Sequence, residues 1–268
     1  NILRGSGGAK PPAPALRLGL WQGPSPAGDA QAALAALRTA LDAAGAAGAA
    51  MLVAPEVFLP GYNHAEIPSL AQPRGGPWHQ SLAGLCREAG CGLTVGYAER
   101  EGDRVYNSAV VFDAQGAEIA HYRKIQLYGP REKMLYTPGD AYCRFDLGGI
   151  PAALLICYDI EFAPHVAELA ARGARLILVP TANMQPFTHV VRVTVATMAA
   201  NHALAVVYAN YCGQERDLTY VGGSQIVAAD GAVLVLAGQG SALLIADLPA
   251  AIDPAHLSTQ ATDFLRIK

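Results

Sequence analysis

The sequence predicts an α/β protein in which mixed sheets are covered by helices. Short apolar runs typical of strands alternate along the chain with longer segments whose apolar residues recur at helical spacing. Pairs of strand-like runs separated by short turns indicate hairpins that interrupt this alternation. Hydrophobic residues make up 52% of the 268 positions and charged residues only 15%, which suits one large core. No linker composition divides the chain, so we predict a single domain.

The first elements form a β-α-β unit. Residues 16–21 alternate apolar and polar side chains and end at turn-forming glycine and prolines, which predicts a strand. Asp29 is a good cap for a helix over 32–44, which Gly45 and Gly48 terminate. Residues 50–54 form a short continuous apolar run, which is typical of a strand covered on both faces.

The remaining elements follow from the same patterns. Turns at 113–116, at Gly148-Gly149 and at Asp230-Gly231 separate short strands. Residues 50–54 and 176–179 are both followed by proline and a polar residue, which favours two stacked halves. We predict helices over 78–89, 166–171 and 190–201, and strands over 93–98, 108–112, 119–122, 143–146, 152–156, 176–179, 205–209, 224–227, 233–236 and 243–247.

Charge and hydropathy argue against two classes of partner. Lysine plus arginine number 19 against 22 acidic residues, a net charge of -3, so no basic excess exists to neutralise a nucleic-acid backbone. The longest apolar runs are far shorter than the roughly 20 residues that a membrane-spanning helix needs. We therefore expect neither nucleic acid nor a membrane as partner. Residues 1–15, rich in glycine, proline and alanine, are interpreted as a flexible leader outside the fold.

Cysteine and histidine usage indicates neither a disulfide framework nor a metal site. The five cysteines are an odd number without a C-x-x-C pair, so reduced thiols in the cytoplasm are expected. The seven histidines show no H-E-x-x-H motif and no zinc-ligand spacing with cysteine. The glycine-rich stretches lack the lysine of a phosphate-binding loop. We expect no metal and no cofactor.

Three segments place reactive side chains at predicted strand ends. Glu56 follows the strand 50–54, Lys124 follows 119–122, and Cys157 follows 152–156. Carboxyl ends of strands are where open α/β sheets bind ligands. Each residue also has an ordinary explanation, since a glutamate can cap a turn, a lysine can be solvated and a cysteine can be a small core residue. Together, however, they form a workable hydrolytic set.

The chemistry of such a set is specific. A cysteine is a useful nucleophile only as thiolate, and its reference pKa near 8.5 leaves a few per cent ionised at neutral pH. Burial can raise the pKa of Glu56 until it accepts the thiol proton and later returns it to a leaving amine. The charge of Lys124 favours the thiolate and the oxyanion of a tetrahedral intermediate.

The order and spacing of the three segments resemble the nitrilase superfamily of carbon-nitrogen hydrolases. Lys124 lies 68 residues after Glu56, and Cys157 lies 33 residues after Lys124. The resemblance covers the chain from about residue 16 to 247. It implies that Glu56 is the general base, Lys124 stabilises the oxyanion and Cys157 forms a thioester acyl-enzyme. The main-chain N–H of Tyr158 is then the expected second oxyanion donor.

Further segments refine the resemblance. Residues 132–139 read Glu-Lys-Met-Leu-Tyr-Thr-Pro-Gly and look like the segment in which many amidases of the superfamily carry a second glutamate. This likeness implies that Glu132 orients Lys124 or the substrate amide. The alternative is that Glu132 is a charged residue at the surface. Cys157 is followed by Tyr-Asp rather than the Trp-Glu of nitrilases, which favours amide substrates over nitriles. Other motifs look most like the branch that holds 5-aminopentanamidase and (R)-stereoselective amidases. By that likeness Tyr62, Asn183 and Met184 line the pocket, although they are also ordinary packing and turn residues.

The sequence departs from that branch in two places. Residues 162–165 read Phe-Ala-Pro-His where relatives usually have Phe-Pro-Glu, and residues 197–201 read Thr-Met-Ala-Ala-Asn where Arg-Ala-x-Glu-Asn is common. The lost charges put helix contacts near the site, or at a subunit boundary, in doubt. They leave Glu56, Lys124 and Cys157 unchanged.

The resemblance implies a four-layer α-β-β-α sandwich of two mixed sheets, formed by residues 16–248, with a C-terminal tail, 249–268, that can lie at a subunit interface. It implies hydrolysis of a small carboxamide to acid and ammonia by a homodimer or larger homo-oligomer. Two alternatives remain. One is an N-carbamoyl amine or ω-amide hydrolase of the same superfamily, and the other is a non-catalytic oligomeric binding protein.

Overall fold

The fold is described by a computed structural model that covers residues 16–249 and 251–265. The predicted leader, 1–15, lies outside the described residues. The strands are β1 (Leu16–Gln22), β2 (Met51–Val53), β3 (Gly92–Glu101), β4 (Arg104–Phe112), β5 (Glu118–Arg123), β6 (Arg144–Leu147), β7 (Ile150–Leu154), β8 (Leu176–Pro180), β9 (Ala205–Ala209), β10 (Gln214–Glu215), β11 (Leu218–Thr219), β12 (Gln225–Val227), β13 (Val233–Leu236) and β14 (Ala242–Leu248). The helices are α1 (Ala30–Ala46), α2 (Ile67–Leu70), α3 (Pro77–Ala89), α4 (Gly129–Leu135), α5 (Ala163–Ala171), α6 (Val195–His202) and α7 (Gln260–Asp263).

Two six-stranded mixed sheets form the centre of the molecule. The first has the order β14-β1-β2-β3-β4-β5, and the second has the order β13-β12-β9-β8-β7-β6. Each contains three adjacent parallel strands, β1-β2-β3 in the first and β7-β8-β9 in the second, flanked by antiparallel partners. The two halves therefore repeat one arrangement, as the sequence predicts.

The sheets face each other across one apolar core, and helices cover their outer faces. Leu20 and Val53 of the first sheet share this core with Leu154, Leu178 and Val207 of the second. A second apolar cluster joins α1 and α3 to the outer face of the first sheet. Helices α5 and α6 pack on the other side of the second sheet. The α-β-β-α sandwich expected from the resemblance is confirmed.

Most predicted elements are present, with shifts where local geometry changes. The predicted strand 152–156 ends at Leu154 because the chain turns there into a short 3-10 helix, Cys157–Glu161. The predicted helix 190–201 begins with a π-helical turn, Val190–Thr194, before α6. The sequence interpretation missed α2, α4 and the β10-β11 hairpin, which are too short to show a period.

The sheet topology gathers the predicted site at one end of the sandwich. Glu56 follows β2, Lys124 follows β5 and Cys157 follows β7. Strand β4 is antiparallel to both β3 and β5, so the carboxyl ends of β3 and β5 lie at the same edge. The main-chain N–H of Glu56 donates to the carbonyl of Thr181, directly after β8, which joins the two sheets at this end.

The last described segment lies beside α6. After β14 ends at Leu248, a 3-10 turn, Pro254–His256, and α7 follow. The amide of Gln260 donates to the side chain of Asn201, while Phe264 and Leu265 are 72% and 86% exposed. Within the described part of the chain, no helix has both the length and the apolar character needed to cross a bilayer. All five cysteines are free thiols in this structure.

Candidate active site

Glu56 is held in a buried turn directly after β2. Its carbonyl accepts a 2.7 Å hydrogen bond from the hydroxyl of Tyr211, and its side chain is fully buried. The next residue, Val57, has a φ of 44°, which is unusual for a β-branched residue. The turn lies against Gly96 of β3, where an added Cβ would stand 2.6 Å from the Cα of Glu56. Only glycine at position 96 leaves room for this turn.

Lys124 lies between two buried glutamates. Its main-chain N–H donates to the carbonyl of Asn107, which continues the pairing of β5 with β4 by one residue. Its Nζ lies 2.6 Å from Oε1 of Glu56 and 2.9 Å from Oε1 of Glu132, and all three side chains are buried. A fully buried ammonium is stable only when nearby negative charges, here the two carboxylates, offset the cost of removing it from water.

Glu132 is fixed on α4 by contacts at both oxygens. Tyr62 donates its hydroxyl to Oε1 at 2.6 Å, and the main-chain N–H of Tyr128 donates to Oε2 at 2.8 Å. The segment that carries Glu132 thus brings it to Lys124 rather than to the surface. Tyr62 reaches the same carboxylate from the loop after Glu56.

Asn107 completes the environment of Glu56, and the sequence interpretation did not identify it. Its side-chain amide donates a 2.7 Å hydrogen bond to Oε1 of Glu56, the oxygen that also binds Lys124. Oε2 of Glu56 is buried without a hydrogen-bond partner among the described residues. One carboxylate oxygen is therefore anchored and the other is available for proton transfer. The available signal was an asparagine two residues before the apolar run 109–112 of β4.

Cys157 lies at the tight turn between β7 and the 3-10 helix. Its φ of 47° is left-handed, a conformation that costs energy in a residue other than glycine. Asp159 supports the turn, because its buried carboxylate accepts hydrogen bonds from the N–H of Ile156 at 3.1 Å and of Gln126 at 2.7 Å, and from the hydroxyl of Tyr122 at 2.8 Å. These contacts join the turn of Cys157 to the segment around Lys124.

Burial is the largest influence on the pKa values of Glu56, Lys124 and Cys157. It raises the pKa of Glu56 to about 7, against the opposing effects of Lys124 and Asn107. For Lys124, burial favours the neutral form, but the charges of Glu132 and Glu56 outweigh it and raise the pKa well above its usual value. Burial and the charge of Glu56 also raise the pKa of the Cys157 thiol, although Lys124 lowers it. Lys124 therefore favours the thiolate as expected, yet the thiol rests protonated and needs a base at the moment of attack.

A cavity of about 220 Å³ opens at Cys157. The four residues expected at the pocket or the oxyanion site, Tyr62, Tyr158, Asn183 and Met184, all line it. Besides Cys157, sequence reasoning missed the remaining contributors, which all lie outside the strands. The lining residues are Tyr62, Tyr128, Cys157, Tyr158, Glu161, Asn183, Met184, Phe187 and His189.

Hydrogen bonds and ring contacts fix much of this wall. The Asn183 amide donates to the carbonyl of Phe187, and its N–H donates to the side chain of Asn210. The ring of Tyr128 lies 5.4 Å from that of Tyr158 and 5.8 Å from that of Phe187, both edge to face.

A second cavity, about 430 Å³, lies on the other side of Tyr158. Its wall includes Gln126, Lys133, Tyr136 and Phe162 but none of Glu56, Lys124 and Cys157. We therefore take the smaller cavity, which contains the thiol, as the candidate substrate pocket.

The two departures from the family pattern have structural explanations. His165 Nε2 lies 3.0 Å from the side-chain nitrogen of Gln126, and its Nδ1 lies 2.7 Å from the hydroxyl of Tyr142, so the imidazole joins α5 to the segment after Lys124. Ala200 packs under the β12-β13 turn, where a Cβ on Gly231 would stand 2.9 Å from that of Ala200. A small residue at 200 fits this close approach.

Comparison with known proteins finds one matching family and several relatives. The model of the carbon-nitrogen hydrolase family matches residues 17–256. A Pseudomonas protegens protein described as "Hydrolase in pqqF 5'region" is 42% identical over 186 residues, which cover 68% of this chain and 65% of that protein. An "(R)-stereoselective amidase" of Pseudomonas sp is 34% identical over 186 residues, covering 69% of this chain and 67% of that protein. The aligned part thus spans about two thirds of each curated relative.

A solved structure matches over more of the chain. It is a mutant of the amidase from Nesterenkonia sp. AN1 that shows Michael addition of acrylamide at its active site cysteine. The two chains are 33% identical with a TM-score of 0.85, and the match covers 92% of this chain and 96% of that one.

Proposed function

This chain belongs to the carbon-nitrogen hydrolase family, and we propose that it is an amidase that hydrolyses a small carboxamide to the carboxylic acid and ammonia. The contact of Lys124 with both Glu56 and Glu132, beside the thiol of Cys157, carries this proposal. It supplies a base, a cation and a nucleophile in one water-poor place. An amidase relative and an amidase structure with an active site cysteine add support.

Acylation begins with attack of the Cys157 sulfur on the amide carbonyl carbon. Glu56 accepts the thiol proton as the C–S bond forms, since its pKa near 7 leaves much of it ionised at neutral pH. The carbonyl oxygen becomes an oxyanion that binds Lys124 and the main-chain N–H of Tyr158. Tyr158 is the second residue of its 3-10 helix, so the helix offers this N–H no acceptor.

Collapse of the intermediate breaks the C–N bond. Glu56 returns its proton to the leaving nitrogen, ammonia departs and a thioester remains on Cys157. Water then attacks the thioester carbonyl while Glu56 accepts a proton from it, and the C–S bond breaks to give the acid and the thiol. Glu132 orients Lys124 throughout, and Tyr62, Asn183 and Met184 hold the substrate in the pocket.

The alternative functions require different pocket residues or release different products. An ω-amide substrate with a free carboxylate calls for an arginine or lysine in the pocket, and neither type occurs among the residues that line it. An N-carbamoyl amine would release carbon dioxide together with ammonia. A non-catalytic binding protein has no use for a buried lysine between two glutamates.

The decisive experiment is an ammonia-release screen of aliphatic, ω-amino, aromatic and carbamoyl amides, with nitriles as the negative class. Cys157→Ala should abolish turnover while the circular dichroism spectrum and melting temperature stay close to those of the wild type. Cys212→Ala is the matched control, because this thiol is not among the residues that line the pocket and its loss should leave the rate unchanged. An active Cys157→Ala protein would refute the mechanism.

The location and assembly of the protein belong to the same proposal. We expect a cytoplasmic enzyme, because a nucleophilic thiol and four further free thiols suit a reducing compartment. We expect a homodimer or larger homo-oligomer that buries the exposed Phe264 and Leu265 of the tail. Light scattering after size exclusion checks this, and a monomer at all micromolar concentrations contradicts it.

A further inference from the structure

The short β10-β11 hairpin carries a buried carboxylate that the proposed reaction does not use. Glu215 is 3% exposed and lines neither of the two cavities. In the described part of the chain it forms no ion pair. A buried carboxylate is costly unless hydrogen bonds or charges compensate for the lost water. The hydrogen bonds of Glu215 supply this compensation, and they connect it to the candidate active site.

The first contacts of Glu215 hold the loop that carries Tyr62. Its Oε2 accepts the main-chain N–H of Asn63 at 2.9 Å, and its main-chain carbonyl accepts the side-chain amide of Asn63 at 3.1 Å. Its Oε1 lies close to Gly61, where an added Cβ would stand only 2.8 Å from this oxygen. Glu215 therefore contacts the residues on both sides of Tyr62.

Tyr62 connects this loop to the proposed catalytic groups. Its hydroxyl donates to Oε1 of Glu132 at 2.6 Å, and the same oxygen accepts a hydrogen bond from Nζ of Lys124 at 2.9 Å. Arg131, the residue before Glu132 on α4, donates to the carbonyl of Tyr62 at 3.0 Å. A shift of the loop would therefore move the Tyr62 hydroxyl and, with it, the carboxylate that orients Lys124.

A second set of contacts joins Glu215 to the turn of Glu56. The hydroxyl of Tyr220 donates to Oε2 of Glu215, and the ring of Tyr220 stacks on that of Tyr211 with centroids 4.8 Å apart. Tyr211 in turn donates its hydroxyl to the carbonyl of Glu56 at 2.7 Å. Both glutamates that contact Lys124 are thus joined to one carboxylate by short chains of contacts.

We propose that Glu215 is a positioning residue for the reaction and that it acts through Tyr62 and Tyr211. It keeps the two buried glutamates aligned with Lys124. The inference rests on the proposed amidase function and extends it to a residue that lies outside the substrate pocket. Displacement of a catalytic group by about 1 Å can cost on the order of 100-fold in rate, so the loss of such support should be measurable in kcat.

The test replaces the Glu215 carboxylate by an apolar group and by a polar group of the same shape. Glu215→Leu removes both acceptor oxygens and should lower kcat about 10- to 100-fold, with a smaller change in KM, because the displaced charges act on the oxyanion. Glu215→Gln keeps one oxygen that can accept from Asn63 and Tyr220, so it should recover most of this loss.

A matched control separates positioning from a general loss of stability. Glu118 on β5 contacts the side chains of Arg74 and His79 and lines neither cavity. Glu118→Leu should therefore lower the melting temperature while kcat stays close to that of the wild type.

Double-mutant cycles identify the route. If Glu215 acts through Tyr62 and Tyr211, Glu215→Leu should cost less in kcat when Tyr62→Phe or Tyr211→Phe is already present. Losses that multiply independently in both cycles would overturn the inference, as would full activity of Glu215→Leu. If Glu215→Leu does not fold, Tyr220→Phe, which removes one hydrogen bond to Glu215 and keeps the ring, takes its place in the same cycles.

A readout without turnover distinguishes this inference from the proposed function. Glu56 and Lys124 both act on the thiol of Cys157, so iodoacetamide should label Cys157 more slowly in Glu215→Leu than in the wild type or Glu215→Gln. If no amide turns over, the proposed function fails and the labelling rates still test the positioning. In that case, equal labelling of Cys157 in all three proteins would overturn the inference.

Discussion

Asp159 accepts a 2.7 Å hydrogen bond from the main-chain N–H of Gln126. Asp159 lies two residues after Cys157, and Gln126 lies two residues after Lys124. The contact therefore ties the turn of the thiol, in the second sheet, to the segment of the ammonium, in the first. The separation of the two groups is set by this hydrogen bond as well as by the two sheets.

Replacement of Asp159 should loosen this link. Asp159→Asn keeps the shape but turns one acceptor oxygen into a donor that faces the Tyr122 hydroxyl and main-chain N–H groups. We expect a loss of about 2–4 kcal/mol in the free energy of unfolding, measured by urea denaturation, and a fall in kcat. Asp146→Asn is the control, because exposed Asp146 accepts one N–H that asparagine can also accept. Equal losses in both variants would contradict the argument.

Asn107 should lower the pKa of the proposed general base, Glu56. Asn107→Leu removes the hydrogen bond that lowers the pKa of Glu56, so this pKa should rise above about 7. Less of the ionised base is then present at neutral pH, and the acid limb of the kcat/KM profile should move to higher pH. We expect a loss of about 10-fold or more in kcat/KM at pH 7. A lower rate with an unshifted pH profile would mean that Asn107 serves packing only.

Glu56 should make stability depend on pH. Its folded-state pKa of about 7 lies above the value of 4.5 for an unperturbed glutamate, so between these values the unfolded chain releases a proton that the folded chain keeps. Its contribution to the free energy of unfolding therefore falls by about 1.4 kcal/mol per pH unit from 4.5 to 7 and then stays constant.

Comparison with Glu56→Gln isolates this effect, since glutamine does not titrate. Urea denaturation at several pH values should show the variant gaining stability relative to the wild type as the pH rises through this window. A difference independent of pH would show that Glu56 keeps an ordinary pKa.

Gly96 should be intolerant of any side chain. In Gly96→Ala the new Cβ meets the main chain of Glu56 and Val57 at 2.3–2.7 Å, so the turn of the base must move. Thermal unfolding should show a loss of about 1–3 kcal/mol, and kcat should fall because Oε2 of Glu56 is displaced. Gly84→Ala on α3 has no close neighbour and should instead gain about 0.5–1 kcal/mol. Full activity of Gly96→Ala would refute this reading of the turn.

The sequence predicts that three potentially reactive groups lie near one another because each of them follows a strand. Glu56, Lys124 and Cys157 each end an apolar run, and strands of one sheet direction end at one edge, so their proximity follows from topology. Glu132 was expected to orient Lys124 from a motif, and its carboxylate is found at that lysine. The alternating halves likewise follow from hydrophobic periodicity.

The pocket wall and the hydrogen-bond partners could not be predicted in this way. Tyr128 and Phe187 lie in loops, whose path hydrophobic periodicity does not encode. His189 lies in the helical turn directly before Val190, one residue outside the predicted helix. Asn107 and Asp159 act through side-chain contacts that join positions 51 and 33 residues apart along the chain. Such contacts depend on the packed tertiary structure, as does the extent to which burial outweighs the charge of Lys124 at Cys157.

The pairing of β14 with β1 has a consequence for synthesis. When a ribosome has added residue 200, the nascent chain already contains every proposed catalytic group, yet the edge partner of β1 is still 42 residues away. The first sheet can be completed only after β14 has left the ribosome, because β14 pairs with β1 and lies more than 200 positions after it. Enzymatic competence should therefore arise only after residue 248 has left the ribosome, and truncations before Ala242 should yield chains that depend on chaperones.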